Sequence, residues 1–291
     1  MNWELIRGHY SRPEVRREIY EYCRGRWVAI HCEVVDDRGL PIMIRYEGKS
    51  RRPLRITSED DVIKIIDRYA EFKPRAFYAT AHIYSNINYP EDVFTRENIL
   101  ASSPTWDIDL KDGSWKDVIQ KASEIIDLLE REGVINSVFV KWSGRGAHVH
   151  INPHAFSEDI RKKIDPLDIA YSITQYIVNR LRPSLSVAVE NKIDIQRVFT
   201  APLSFHRTVN RVAVCIPPDL VNEFDISWTD SRDFKHFPDS WRKFVPGEGD
   251  ELAEKAFFAI GPYIAGRSRR RKHKPLDQEI LEAFRRFGEE L

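Results

Sequence analysis

Thr105-Trp106-Asp107-Ile108-Asp109-Leu110 is the stretch whose reading decides the fold. Acids alternate with apolar residues here, and a strand has period two. Asp107 and Asp109 therefore project from one face of a strand, while Trp106, Ile108 and Leu110 line the other. Two carboxylates side by side repel. The pair becomes favourable when a hard cation lies between them, and Mg²⁺ prefers oxygen ligands. No neighbouring cation in the sequence is set to neutralise them. Taken alone, Asp-x-Asp also fits a solvated strand edge.

The flanking sequence favours a site. Ser114, with Asp117 three residues on, is an N-terminal helix signal. Trp115, Val118, Ile119, Ala122, Ile125, Ile126 and Leu129 carry an apolar stripe at helical spacing, and Gly133 ends the helix. Val138 to Trp142 and Ala147 to Ile151 read as strands joined by Ser143-Gly144-Arg145-Gly146. Glycines permit positive φ, and the amides, hydroxyl and guanidinium of this turn are all donors, which suits an anion. His148 and His150 share one strand face, as the two aspartates do.

These residues resemble the three motifs of the archaeo-eukaryotic primase superfamily, in particular the small catalytic subunit of DNA primase. The motifs are Asp107-x-Asp109, then Ser143-Gly-Arg-Gly-x-His148, then Ile193-Asp194 followed by Pro202-Leu-Ser-Phe-His206. Met43-Ile44-Arg45 and Lys73-Pro74-Arg75-Ala76-Phe77-Tyr78, leading into Ser85, are similar to that subunit's N-terminal part, so the resemblance spans residues 13–220. It implies an RRM-like catalytic sheet beside a second α/β unit. It implies that Asp107, Asp109 and Asp194 are catalytic carboxylates holding two divalent ions, Mg²⁺ or Mn²⁺. Ser143, Gly144, Arg145, His148, Ser204 and His206 would bind the nucleotide, and His150 either lines the site or is structural. Single-stranded DNA template and nucleoside triphosphates are the implied partners, with a primase large subunit as a candidate third. The chain departs from the family in three places. Val198-Phe-Thr-Ala201 stands where a basic residue is common, with Arg197 and Arg207 as substitutes that do not align cleanly. The glycine turn is a residue shorter than the Gly-Arg-Arg-Gly form. Lys111 to Ser137 contains no Cys where many small subunits carry a zinc module, so no structural zinc is expected.

Composition bounds the rest. The 291 residues are 42% hydrophobic and 31% charged, as in a water-soluble globular chain. Lys plus Arg and Asp plus Glu each number 45, so no global basic field announces nucleic acid and any such surface is local. Arg45, Lys49, Arg51, Arg52 and Arg55 form one basic cluster, and Arg267 to Lys274 another. Cys23, Cys32 and Cys215 are too few and scattered for a disulfide framework. No apolar run reaches membrane-span length and no signal-peptide core is present, so no membrane partner and a cytoplasmic location are expected.

Along the chain, Ser11 to Glu14 reads as a capping box opening a helix to about Cys23. Trp27 to Val35 and Leu40 to Tyr46 read as strands, Ser58 as a helix cap, Ala76 to Ala81 as a strand, and residues 86–104 as a loop. Asp165-Pro166 starts a helix, Lys192 to Gln196 reads as a strand, Arg211 to Ile216 as another, and 251–259 as a helix. The expected class is α/β, and the core order is β-α-β-turn-β-α-β with one further strand. The expected organisation is an N-terminal α/β unit over 1–90, an RRM-like catalytic core over 91–260, and a basic linker with a short terminal helix over 261–291. Two other functional readings stand beside the enzyme. A histidine-triad hydrolase needs a histidine where Asn152 stands and leaves Asp107 and Asp109 without a role. A catalytically inactive primase-fold subunit, binding nucleic acid or a replication or repair partner, would be signalled by a lost carboxylate, and all three are present.

Overall fold

The computed structural model describes residues 3–49 and 51–264. The basic run Arg267 to Lys274 and the expected terminal helix lie outside the described residues. The Asp-bearing strand, Thr105–Leu110, sits inside a five-stranded antiparallel sheet. Val187–Glu190 flanks it on one side and Ala147–Ile151 on the other, followed by Val138–Trp142 and Val214–Ile216. The β-α-β-turn-β-α-β order of the core is therefore present in full.

Two helices, Trp115–Arg131 and Pro166–Val178, cover one face of this sheet. Their starts follow the sequence signals. Ser114 donates its amide to Asp117 Oδ2 at 2.7 Å and its hydroxyl at 3.1 Å. Asp165 accepts the Leu167 amide at 2.8 Å, with Pro166 in the first turn, where its missing N–H costs nothing. Trp106 and Ile108 point into this layer and are fully buried, and Trp106 Nε1 donates to the Thr174 carbonyl at 3.0 Å. Burying one such aromatic side chain contributes a few kcal/mol, on the order of 25 cal/mol per Å² of apolar surface. That burial fixes the strand's register, so Asp107 and Asp109 face away from the helices.

The opposite face meets a second antiparallel sheet. Its order is Val198–Thr200, Pro74–Thr80, Val28–Val35, Pro41–Ile44. Helices Trp3–Tyr10, Pro13–Cys23 and Glu59–Arg68 accompany it. Phe199 from this sheet lies edge-on to His148 and His150, with centroids 5.0 and 5.7 Å apart. One buried cluster includes Tyr10 and Phe77 beside this sheet and Trp106 and Trp142 in the five-stranded one.

Several elements differ from the sequence reading. The fourth core strand is Val187–Glu190, and Lys192 to Gln196 leaves the sheet. Two turns end the pairing: Asn191 Oδ1 accepts the Ile193 amide at 3.1 Å, and Asp194 Oδ1 accepts the Gln196 amide at 2.8 Å. The expected Ser11 capping box does not form. Trp3–Tyr10 is already helical, and Ser11 Oγ instead donates back to the Arg7 carbonyl at 2.7 Å. Residues 86–104 are not one loop: Ile99–Ser102 is a strand paired with His82–Tyr84. Four residues are too few to show a period.

Candidate active site

Directly opposed residues on neighbouring strands share a face. The register places Glu190, Asp107, His148, Lys141 and Cys215 side by side in one row across all five strands. This row lies on the face turned away from the two long helices. Lys141 is wholly buried, its ammonium 3.1 Å from the Tyr22 hydroxyl and stacked over that ring.

Asp107 is the residue of this row on which the polar contacts converge. His148 Nε2 lies 3.2 Å from its Oδ1, and Lys192 Nζ donates to its Oδ2 at 2.7 Å. The same ammonium donates to Asp109 Oδ2 at 2.7 Å and lies 3.6 Å from Glu190 Oε2. Burial alone would raise the Asp107 carboxyl, but the hydrogen bonds and charges of His148 and Lys192 outweigh it and hold the group well below the usual carboxylate range. Burial lowers His148, and its partner Asp107 only partly restores it. Its Nε2 is the ring nitrogen directed at Asp107. Burial likewise works against the charged form of Lys192, yet the two aspartates raise it overall.

Lys192 therefore corrects one expectation: the aspartate pair is neutralised from within the chain. The lysine falls just beyond the strand that pairs with Asp107, and that register was not legible in the sequence. Its position also tests whether the pair suits a metal. Two carboxylate oxygens converge on one cationic point, and oxygen donors suit Mg²⁺ or Mn²⁺. Asp107 and Asp109 fit one such ion.

Asp194 lies differently. Its Oδ2 accepts from Arg197 at 2.8 Å and its Oδ1 from the Gln196 amide. Among the described residues, no three His, Cys, Asp or Glu side chains form a group that could hold a metal. Arg197 is thus committed to Asp194, while Arg207 is exposed beside His206.

The glycine turn packs against both other motifs. A Cβ on Gly146 would stand 2.2 Å from the Ile108 carbonyl oxygen, between the two aspartates. Gly144 has φ +121°, and a Cβ there would meet the His206 ring at 2.5 Å. Both positions require glycine, and together they hold the three motifs in contact. Ser143 donates its amide to the Gly146 carbonyl at 2.9 Å and its hydroxyl at 3.3 Å, so this hydroxyl is spent inside the turn. Arg145 is exposed, without an ion-pair partner among the described residues. Its charge reaches His206, which is lowered to about 4, first by burial and then by Arg207, Arg145 and Arg75. His206 Nδ1 accepts the amides of Thr208 and Val209, each at 3.2 Å. The neutral ring therefore carries its proton on Nε2, as a donor.

Two predicted residues are placed inside the scaffold. Ser204 is fully buried, and its hydroxyl accepts the Phe77 amide at 2.7 Å and lies 3.2 Å from Tyr10 Oη. Before it, Leu203 adopts φ +57°, a conformation unusual for a bulky residue. His150 is buried and stacked on Phe139 at 4.6 Å, with Nδ1 2.9 Å from Thr105 Oγ1. Burial pushes its pKa well down, so it is a neutral ring of the core.

The other sheet supplies residues to which the sequence assigned no role. Arg75, 2% exposed, donates to the carbonyls of His206 and Val209 at 2.7 Å each, to Asn210 Oδ1 at 3.2 Å and to Glu33 at 2.7 Å. It fastens the His206 loop. Tyr78 is half-buried; burial raises it, and the charge of Asp107 adds to the rise. The only signal for either was its place in Lys73 to Tyr78.

No protein-family model matches the chain, and no curated protein matches it in sequence. Among solved structures it is similar to the polymerase domain from Mycobacterium tuberculosis Ligase D in complex with DNA. The TM-score is 0.53 at 14% identity, over 88% of each chain. This likeness shows the fold alone, a mixed α/β domain folded like that polymerase domain. Among the described residues, no helix is long and apolar enough to cross a membrane.

Proposed function

We propose that this chain is a template-dependent nucleotidyltransferase of the primase small-subunit type, which makes or extends primers from nucleoside triphosphates on single-stranded DNA. The observation that carries the reading is convergence. Paired carboxylates, a glycine turn with an unpaired arginine and a histidine donor meet at one place, in a fold shared with a domain solved on DNA. Asp107 and Asp109 would hold a divalent ion, Mg²⁺ or Mn²⁺, and Asp194 would join them once released from Arg197. When bound, such ions stabilise charge on the transferring phosphoryl group and favour the attacking hydroxyl. The chain's own residues do the positioning. Arg145 offers a planar, permanently charged donor fork to the triphosphate, and His206 Nε2–H donates beside it. His148 keeps Asp107 ionised and oriented, while Arg75 and Ser204 hold the His206 loop in place. A large subunit or the segment after Phe257 would strengthen the grip on template.

A second reading is favoured by Lys192: a primase-fold subunit whose carboxylates are permanently neutralised and which only binds nucleic acid. One experiment separates the two. The full chain is incubated with primed and unprimed single-stranded templates, nucleoside triphosphates and Mg²⁺ or Mn²⁺, and products are resolved on a gel. The enzyme reading expects ready extension of the primer and poor initiation. Template binding without product from either template would establish the second reading.

A further inference from the structure

The lysine between the aspartates suggests more than a counter-ion. The backbone around Lys192 is anchored on both sides. Asn191 Nδ2 donates to the Tyr171 carbonyl at 3.0 Å, Asn191 Oδ1 accepts the Ile193 amide, and Arg197 Nε donates to the Lys192 carbonyl. The side chain is another matter. Four methylenes separate the ammonium from that anchored backbone, and the side chain is 25% exposed, so it can swing out without the chain moving. Its Nζ is held by Asp107 and Asp109 at 2.7 Å each, with Glu190 at 3.6 Å.

We propose that Lys192 sets the divalent-metal affinity of this site by holding the metal's position in the free protein. This rests on the reading of Asp107 and Asp109 as metal ligands. An ammonium and a divalent ion cannot share two oxygens that converge on one point. Binding of the ion therefore includes breaking both lysine contacts and returning the ammonium to water. The Asp109 contact is exposed and contributes little, while the Asp107 contact is largely buried and accounts for most of the opposition. Without the ammonium, three carboxylates would face one another, and a divalent ion would relieve all three repulsions.

The test uses Mn²⁺ alone, without nucleotide or DNA, on the full chain. Free Mn²⁺ is read by its electron paramagnetic resonance signal, and thermal melting with and without Mn²⁺ is recorded alongside. The variants are Lys192→Met, which removes the charge at similar length, and Lys192→Arg, which keeps it. Lys192→Met is expected to bind Mn²⁺ at least tenfold more tightly than the parent, and to gain more in melting temperature from Mn²⁺. Lys192→Arg is expected to stay within about threefold of the parent. Lys192→Gln serves in place of Lys192→Met should the latter fail to melt cooperatively. Equal affinity in the parent and the neutral variant would overturn the proposal and leave the metal site standing. If Mn²⁺ binds neither of them, or binds them undiminished when Asp109→Asn is added, the metal-ligand reading fails and this proposal falls with it.

Discussion

At one end of the candidate site, Asp107 and Asp109 share the ammonium of Lys192; at the other, Arg145 has no ion-pair partner among the described residues and stands beside a neutral His206. The first end is satisfied within the chain. The second is left with unspent donors. Both adjoin the same glycine turn, so the difference is not one of position but of what each end still lacks. An anion can add to the second end without displacing anything, whereas a cation at the first must first remove a lysine. On the proposed function, triphosphate would therefore be met by a ready site and metal by a guarded one.

The largest effect is expected where both ends depend on one residue. Gly146→Ala would drive a Cβ into the Ile108 carbonyl, a backbone atom that cannot rotate away. Overpacking of this kind costs about 1–3 kcal/mol or more, and the turn and the Asp-bearing strand should shift together. Denaturant unfolding and nucleotide incorporation should both show the loss. A stable, active variant would break the link between the two ends.

Asp107→Asn acts on the guarded end alone. Repulsion between the paired carboxylates would by itself make this variant equally or more stable, but the Lys192 and His148 contacts reverse that. Asparagine would leave a largely buried contact with His148 and Lys192 without its charge, costing roughly 1–3 kcal/mol. A denaturation midpoint equal to the parent's would show that Lys192 does not bind there in solution.

Gly144→Ala probes the other end. The clash is with a side chain that can turn, so the main cost is the backbone, of order 1–3 kcal/mol for a strained φ. His206 should be displaced, and its ring resonances should move in a two-dimensional NMR spectrum while those of His148 stay in place.

The histidines predict a smaller, graded effect with pH. His9, His82 and His206 are each held at about 4, in every case first by burial. Between about pH 6.5 and 4 the unfolded chain binds protons that the folded chain does not, so stability rises with pH across this window and is lost as pH falls through it. The melting temperature should be lower at pH 5 than at pH 7.5. His206→Asn should reduce that difference. A flat profile over this range would show that these rings are not held neutral.

The five-stranded sheet was largely legible because its signals are local. Alternation in Thr105 to Leu110, the stripe from Trp115 to Leu129 and the caps at Ser114 and Asp165 each act within a few residues. The facing of Asp107 and Asp109 followed from the burial of Trp106 and Ile108. What escaped the reading depends on chain partners far apart in sequence. Val198–Thr200 joins the other sheet through Pro74–Thr80, Ser204 is buried by Tyr10 and Phe77, and Lys192 reaches the aspartates because Glu190 pairs with Asp107. No local pattern encodes such pairings.

The most direct test of the central claim uses Asp109, whose side chain is 58% exposed and can be changed without disturbing the core. Incorporation of labelled nucleotide into a primed single-stranded template is measured for the parent and for Asp109→Asn, with melting curves recorded on the same preparations. The account predicts equal melting temperatures within a degree or two and a loss of incorporation of about 10²-fold or more, the scale of removing one preorganised charge from a phosphoryl-transfer site. Incorporation by Asp109→Asn within a few-fold of an active parent, or none by the parent itself, would contradict it.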